Sequence, residues 1–259
     1  MVGALMLSRR PLLFAAAAAL PLRARAQPAP APWVVCAIAG LQPGLAQLEQ
    51  LWRAQGGRPL RLQSGTSATL ARLVEQGGAC DVLALADPLR MDALDARRLL
   101  RPDSRRSLLG NELVLVTAAD QPVPRRPVLA QDLPQLLGNG KLALPDPAQT
   151  AAGRFAREAL GNLGIWEALQ PRLMPVAEGA TALDLVRRGE ARFGIAYVTD
   201  AFEASGLRVA LTFPAESHTA ITYAFALPRR GDAAAAELLG FLAGSDAAAI
   251  WRRLGFAPR

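Results

Sequence analysis

Apolar residues in this chain come in short unbroken runs separated by stretches with a helical beat. Trp33-Val34-Val35-Cys36-Ala37-Ile38 and the run from Asp81 to Ala86 are nearly continuous, as in strands buried on both faces. Between them, Pro43 to Gln55 sets Leu45, Leu48, Leu51 and Trp52 on one side and stops at Gly56-Gly57. A short alternating run from Pro59 to Leu62 predicts a further strand. The segment from Ser67 predicts a helix, with Leu70, Leu73 and Val74 inward and Gly77-Gly78 as its stop. Asp87-Pro88 opens another helix, running to about Leu99, with proline in its first turn. The order β-α-β-α-β-α predicts a mostly parallel sheet with helices on both faces.

After Leu108 the rhythm changes. Strands are expected at Leu113–Val116, Lys141–Leu144 and Phe193–Tyr197, and helices at Thr150–Leu160 and Ala180–Arg188, with a hard turn at Pro145-Asp146-Pro147. This is a second α/β unit. Arg208–Leu211 and Ile221–Leu227 read as strands that return to the first unit, before two last helices at Ala233–Leu242 and Asp246–Leu254. The expected organisation is therefore α/β with two domains, residues 33–109 plus 199–259 and residues 110–198, joined by two hinge crossings. A cleft between such units lies at the carboxyl ends of strands, where helix N-termini converge.

Residues 1–26 stand outside that pattern. Arg9-Arg10 precedes an apolar run from Leu12 to Leu22, followed by the small-x-small triplet Ala24-Arg25-Ala26. This reads as an export signal, of the twin-arginine kind if the arginine pair is used. Residues 27–32 form a Pro/Ala linker. The first 26 residues carry four arginines and no acid, so without them the formal charge falls from +7 to about +3. That balance suits mild attraction of anions and shows no basic stripe for nucleic acid. The composition is globular, with 51% hydrophobic and 5% aromatic residues. Cys36 and Cys80 are expected as two buried free thiols rather than a bridge.

Catalytic equipment is thin. His218 is the only histidine and has no nucleophile elbow to serve. No His/Cys metal spacing and no phosphate loop occur. Asp87, Asp146 and Asp200 stand at turns or helix starts, where aspartate ordinarily caps. No catalytic residue, metal or cofactor is expected. What the chain does carry is a set of neutral, donor-rich turns. Ser64-Gly65-Thr66-Ser67 leads from a strand into a helix, with hydroxyls beside backbone N–H groups that have no partner inside the helix. Similar strand ends occur at Ala39-Gly40-Leu41, Ala86, Ala151-Ala152-Gly153, Gly179-Ala180 and Tyr197. Uncharged N–H and O–H groups can hold an anion, each such bond being worth roughly 1.5–3 kcal/mol.

An ordered series of segments resembles the periplasmic molybdate-binding proteins of ABC transporters. They include Ala37-Ile38-Ala39-Gly40-Leu41, Ser67-Ala68-Thr69-Leu70-Ala71-Arg72, Leu142-Ala143-Leu144-Pro145-Asp146-Pro147, Ala152-Gly153-Arg154-Phe155 and Gly194-Ile195-Ala196-Tyr197. The resemblance covers nearly the whole chain beyond the signal. It implies a type II periplasmic-binding-protein fold, a monomer that closes on molybdate or tungstate and delivers it to a membrane permease. By position it implies Ser67 and Tyr197 as hydroxyl donors and Ala86, Ala152 and Gly179 as backbone donors. One departure stands out: Gly40 replaces the serine usual in the first turn, leaving only its N–H and opening room for another oxyanion or a small organic anion.

Overall fold

The computed structural model describes residues 30–122, 128–202 and 204–259; the expected export signal, most of the expected linker and the Pro/Arg segment 123–127 lie outside the described residues. Residues 31–259 form one compact unit built on two sheets. The first half supplies β1 (Trp33–Ile38), α1 (Gln42–Ala54), β2 (Leu60–Gly65), α2 (Ser67–Glu75), β3 (Val82–Leu85), α3 (Pro88–Ala96), β4 (Arg106–Gly110) and β5 (Leu113–Ala118). Next come α4 (Leu133–Leu137), β6 (Leu142–Pro145), α5 (Ala151–Asn162), α6 (Trp166–Leu169), β7 (Leu173–Val176), α7 (Gly179–Arg187), β8 (Phe193–Tyr197) and α8 (Val198–Phe202). The chain ends with β9 (Leu207–Thr212), β10 (Thr222–Ala226), α9 (Ala236–Leu242), α10 (Ser245–Arg253) and β11 (Ala257–Pro258).

The sheet orders are β11-β4-β10-β3-β1-β2 and β7-β6-β8-β5-β9. As expected, most strands of each sheet run the same way; β10 and β11 are reversed in the first and β5 in the second. The parallel cores are β2-β1-β3 and β7-β6-β8. By contrast, β10 runs antiparallel to both β3 and β4, and β5 antiparallel to both β8 and β9. The reason is directional. Strands of βα units point their carboxyl ends at the space between the sheets. β5 and β10 each arrive from the other sheet, start in that space and run away from it. Leu113, at the start of β5, accordingly pairs with Tyr197 at the end of β8, and Thr222, at the start of β10, pairs with Gly110 at the end of β4.

The second crossing also lies later than expected. The strand near Arg208–Leu211 does not return to the first sheet; as β9 it is the edge strand of the second, paired with β5. The bend at Gly206, whose φ is +76° and whose carbonyl accepts from Ala119 N–H at 3.0 Å, folds β9 back along β5. The chain therefore recrosses through residues 213–221 rather than near Thr199. That segment is pinned to α5: Asn162 Nδ2 donates to Ser217 O at 3.0 Å, and Thr219 N–H and Oγ1 both donate to Glu158 Oε1, at 3.0 and 2.9 Å.

Burial follows the strand pattern. β1 is buried through Ala37, and Trp33 stacks on Trp52 with ring centroids 6.3 Å apart. Trp251 of α10 fills the notch at Gly44, where an added Cβ would lie 2.0 Å from its ring. Edge-on contacts then step from Trp251 to Phe256 (5.3 Å) and from Phe256 to Tyr223 (5.2 Å), carrying the first sheet's core up to the inter-sheet space. Cys36 and Cys80 are buried and unbridged, as expected. Cys36 donates to Ala79 O and Cys80 to Val82 O; the neighbouring Cys36 and burial together push the Cys80 thiol far up, so it stays protonated.

Candidate functional site

All six residues singled out from the sequence sit at the carboxyl ends of the six parallel strands. Gly40, Ser67 and Ala86 follow β1, β2 and β3; Ala152 and Gly179 follow β6 and β7; Tyr197 ends β8. At these ends the Arg154–Asp87 contact and the Tyr197–Tyr223 ring pair join the two sheets.

Three helices begin here. In α2 the cap is Thr66, whose Oγ1 accepts from Thr69 N–H at 3.1 Å. Ser67 is thereby the first helical residue rather than the cap, and its half-buried hydroxyl has no hydrogen-bond partner among the described residues. In α5 the cap is Thr150, which accepts from Gly153 N–H at 2.9 Å, leaving the amides of Ala151 and Ala152 ahead of the capped turn. Gly153 allows the close seating of α5 on β6: an added Cβ would lie 2.3 Å from Pro145 O. No side chain caps α7, so its first N–H groups, beginning with Gly179, have only external acceptors to meet.

Tyr197, the last residue of β8, stands out by its side chain. Its hydroxyl is fully buried yet has no hydrogen-bond partner among the described residues, a costly state for a phenol. Burial pushes its pKa well up, so it is a neutral donor at any physiological pH. Tyr223, edge-on to it at 6.5 Å, is instead satisfied, receiving a hydrogen bond from Asn111 Nδ2 at 2.6 Å. Asn111 stands at the first crossing and also donates to Thr199 Oγ1 at 2.9 Å, tying the crossing to both sheets.

Gly40 lies exposed in a single 3-10 turn (Ala39–Leu41) after β1, and a Cβ built there meets nothing within 4 Å. The open space inferred from the missing serine is real. Two residues on, the side-chain Nε2 of Gln42 is buried without a partner among the described residues. The sequence reading passed over Gln42, which looked like an ordinary helix start; only burial without a partner marks it. The reading also missed Arg154, hidden in an amphipathic helix, whose Nη2 lies 2.8 Å from Asp87 Oδ2.

His218 has no catalytic setting. It is buried, its Nδ1 pairs with Thr219 O at 2.9 Å, and its ring packs on Phe155. Among the described residues no group of His, Cys, Asp and Glu has the makings of a metal site. Cavities of about 70 and 280 Å³ lie elsewhere, lined by Arg98, Arg229 and Arg230 and by Arg101, Ser104 and Leu239.

Residues 34–257 match the model of the bacterial extracellular solute-binding protein family. The chain belongs to that family. Among curated relatives, the molybdate-binding protein ModA of Escherichia coli is 34% identical over 224 residues, covering 86% of this chain and 87% of that one. The periplasmic molybdate-binding protein of Azotobacter vinelandii superposes with a TM-score of 0.72 at 21% identity, covering 87% of this chain and 98% of that one. The sulfate-binding protein SubI of Mycobacterium tuberculosis superposes at 0.71 with 16% identity, covering 88% and 86%. The fold is thus the type II periplasmic-binding-protein fold. These relatives are solute-binding proteins, not enzymes. Sharing the fold with a sulfate binder means that the fold alone does not select the anion.

Proposed function

We propose that this solute-binding protein captures molybdate, or the chemically similar tungstate, between its two sheets in the periplasm and hands it, as a monomer, to an ABC permease. Tyr197 carries the reading: a buried, permanently neutral hydroxyl without a partner among the described residues, at the end of a strand whose Ala196 lies against Gly179, the start of the uncapped α7. A tetrahedral dianion supplies the acceptors that this hydroxyl, Ser67 Oγ and the amides of Gly40, Ala86, Ala152 and Gly179 lack. The relatedness to ModA favours molybdate within that class.

The test is a calorimetric titration of the mature protein with molybdate, tungstate and sulfate. Tight binding of the first two with weak sulfate is expected; no response to molybdate or tungstate sinks the proposal. A second reading, the same cleft turned to a different or larger anion, is favoured by the open space at Gly40. It gains if Gly40→Ser weakens binding of the native ligand.

A further inference from the structure

Gln42 opens α1 directly after the 3-10 turn that holds Gly40, at the carboxyl end of β1. Its backbone is settled: the Gln42 N–H donates to Ala39 O, and Pro43 behind it has no N–H to place. Its side chain is not. Nε2 is fully buried and has no hydrogen-bond partner among the described residues, the same costly state as the Tyr197 hydroxyl. From Ile38 to Leu45 the sequence is otherwise Ala, Gly, Leu and Pro, so Gln42 carries the one polar side chain of this stretch. No side chain among the described residues caps either the 3-10 turn or α1.

The direction of the side chain follows from helix geometry. Every Cα–Cβ bond of an α-helix tilts toward the amino end, so a first-turn side chain reaches back past the helix start. For Gln42 that is toward the end of β1 and the Gly40 turn. The residue stands at the edge of the stripe of Gly44, Leu45, Leu48 and Trp52 that α1 buries, and Trp251 seated on Gly44 holds this turn in place. Beside it is room, since a Cβ built on Gly40 meets nothing within 4 Å. We infer that Gln42 is a ligand-binding residue whose side-chain amide gives the oxyanion the hydrogen bond that Gly40, having no side chain, cannot. This rests on the anion-binding reading and adds a donor to that site. A glutamine amide is a neutral donor with two hydrogens, suited to a dianion among uncharged groups. It is two bonds longer than a serine hydroxyl, which lets it reach across the space left at Gly40.

The experiment compares wild type with Gln42→Met, Gln42→Glu and the double variant Gly40→Ser/Gln42→Met. Calorimetric titration with molybdate reads affinity, and melting of the ligand-free proteins reads stability. Gln42→Met keeps the length of the side chain and removes the donor; Gln42→Glu keeps its shape and replaces the N–H donors with a negative charge. Gln42→Met should weaken molybdate binding by about tenfold or more, equivalent to about 1.4 kcal/mol. Its melting temperature should equal or exceed that of wild type, because an unmet buried donor is gone. Gln42→Glu should bind more weakly still, since its charge repels the dianion. Gly40→Ser in the Gln42→Met background should recover much of the lost affinity, a coupling that two unrelated sites would not show. Wild-type affinity in Gln42→Met or in Gln42→Glu overturns the assignment. So does a lowered melting temperature in Gln42→Met with weaker binding that Gly40→Ser does not recover, which makes Nε2 part of the fold, met by a buried water. If wild type binds none of molybdate, tungstate and sulfate, the anion-binding reading itself fails and Gln42 falls with it; tight binding by wild type and variants alike removes Gln42 alone.

Discussion

Gly179, the first residue of α7, lies against Asp200 of α8: a Cβ built on the glycine falls 2.6 Å from Asp200 Oδ2. The carboxylate therefore sits beside the uncapped end of α7, the position an anion would share. Gly179→Ala must push Asp200 aside. Overpacking of this kind costs about 1–3 kcal/mol. A lowered melting temperature and weaker molybdate binding are expected together, and wild-type values in both would show that Asp200 yields freely.

Asp200 itself gives a pH dependence. Burial raises its pKa from 3.8 to about 6; the Tyr197 backbone lowers it somewhat and Glu178 raises it. The folded protein thus keeps a proton that the unfolded chain releases near pH 4. Stability from this group is intact below pH 3.8, falls as pH rises toward 6, and stays reduced above that, by up to about 3 kcal/mol. Asp200→Asn should flatten that fall and raise stability at pH 7, as read from urea melts between pH 4 and 7.5. A dianion bound beside Asp200 raises its pKa further, so molybdate binding near pH 6.5 should take up protons. Calorimetry in buffers of different ionisation enthalpy measures that uptake, and its absence separates Asp200 from the bound anion.

Tyr197→Phe removes an unpaired buried hydroxyl. The ligand-free protein should be as stable as wild type, or more stable by about 1 kcal/mol, because the unmet desolvation cost disappears. Oxyanion affinity should fall roughly ten- to a hundredfold, the worth of one hydrogen bond to a charged partner. Opposite signs in melting and binding identify a ligand donor; a loss of stability would instead make Tyr197 a structural residue.

Gly40→Ser adds a hydroxyl where nothing lies within 4 Å of the new Cβ, so folding should be undisturbed. Molybdate affinity should rise by up to about 1.5–3 kcal/mol if the turn faces the anion with its amide. Isothermal titration of the variant beside wild type decides it.

What the sequence determined by itself was local: where strands end and helices begin. Buried runs such as Trp33–Ile38 and Phe193–Tyr197, threonines before helix starts and glycines after helix ends are read from neighbouring residues, because propensity and capping act over a few positions. The positions of Ser67, Ala86, Ala152 and Gly179 at strand-to-helix turns followed from that. The tertiary structure alone decided which sheet each late strand joins. Leu207–Thr212 is a partly exposed strand whose pattern fits either sheet, and only its pairing with β5 places it. The same holds for the short strands β7 and β11, which exist by virtue of their neighbours. It holds too for Gln42, Arg154 and the orphaned hydroxyl of Tyr197. Whether a donor is met or unmet, or an arginine solvated or paired 67 residues away, depends on groups that only packing brings near.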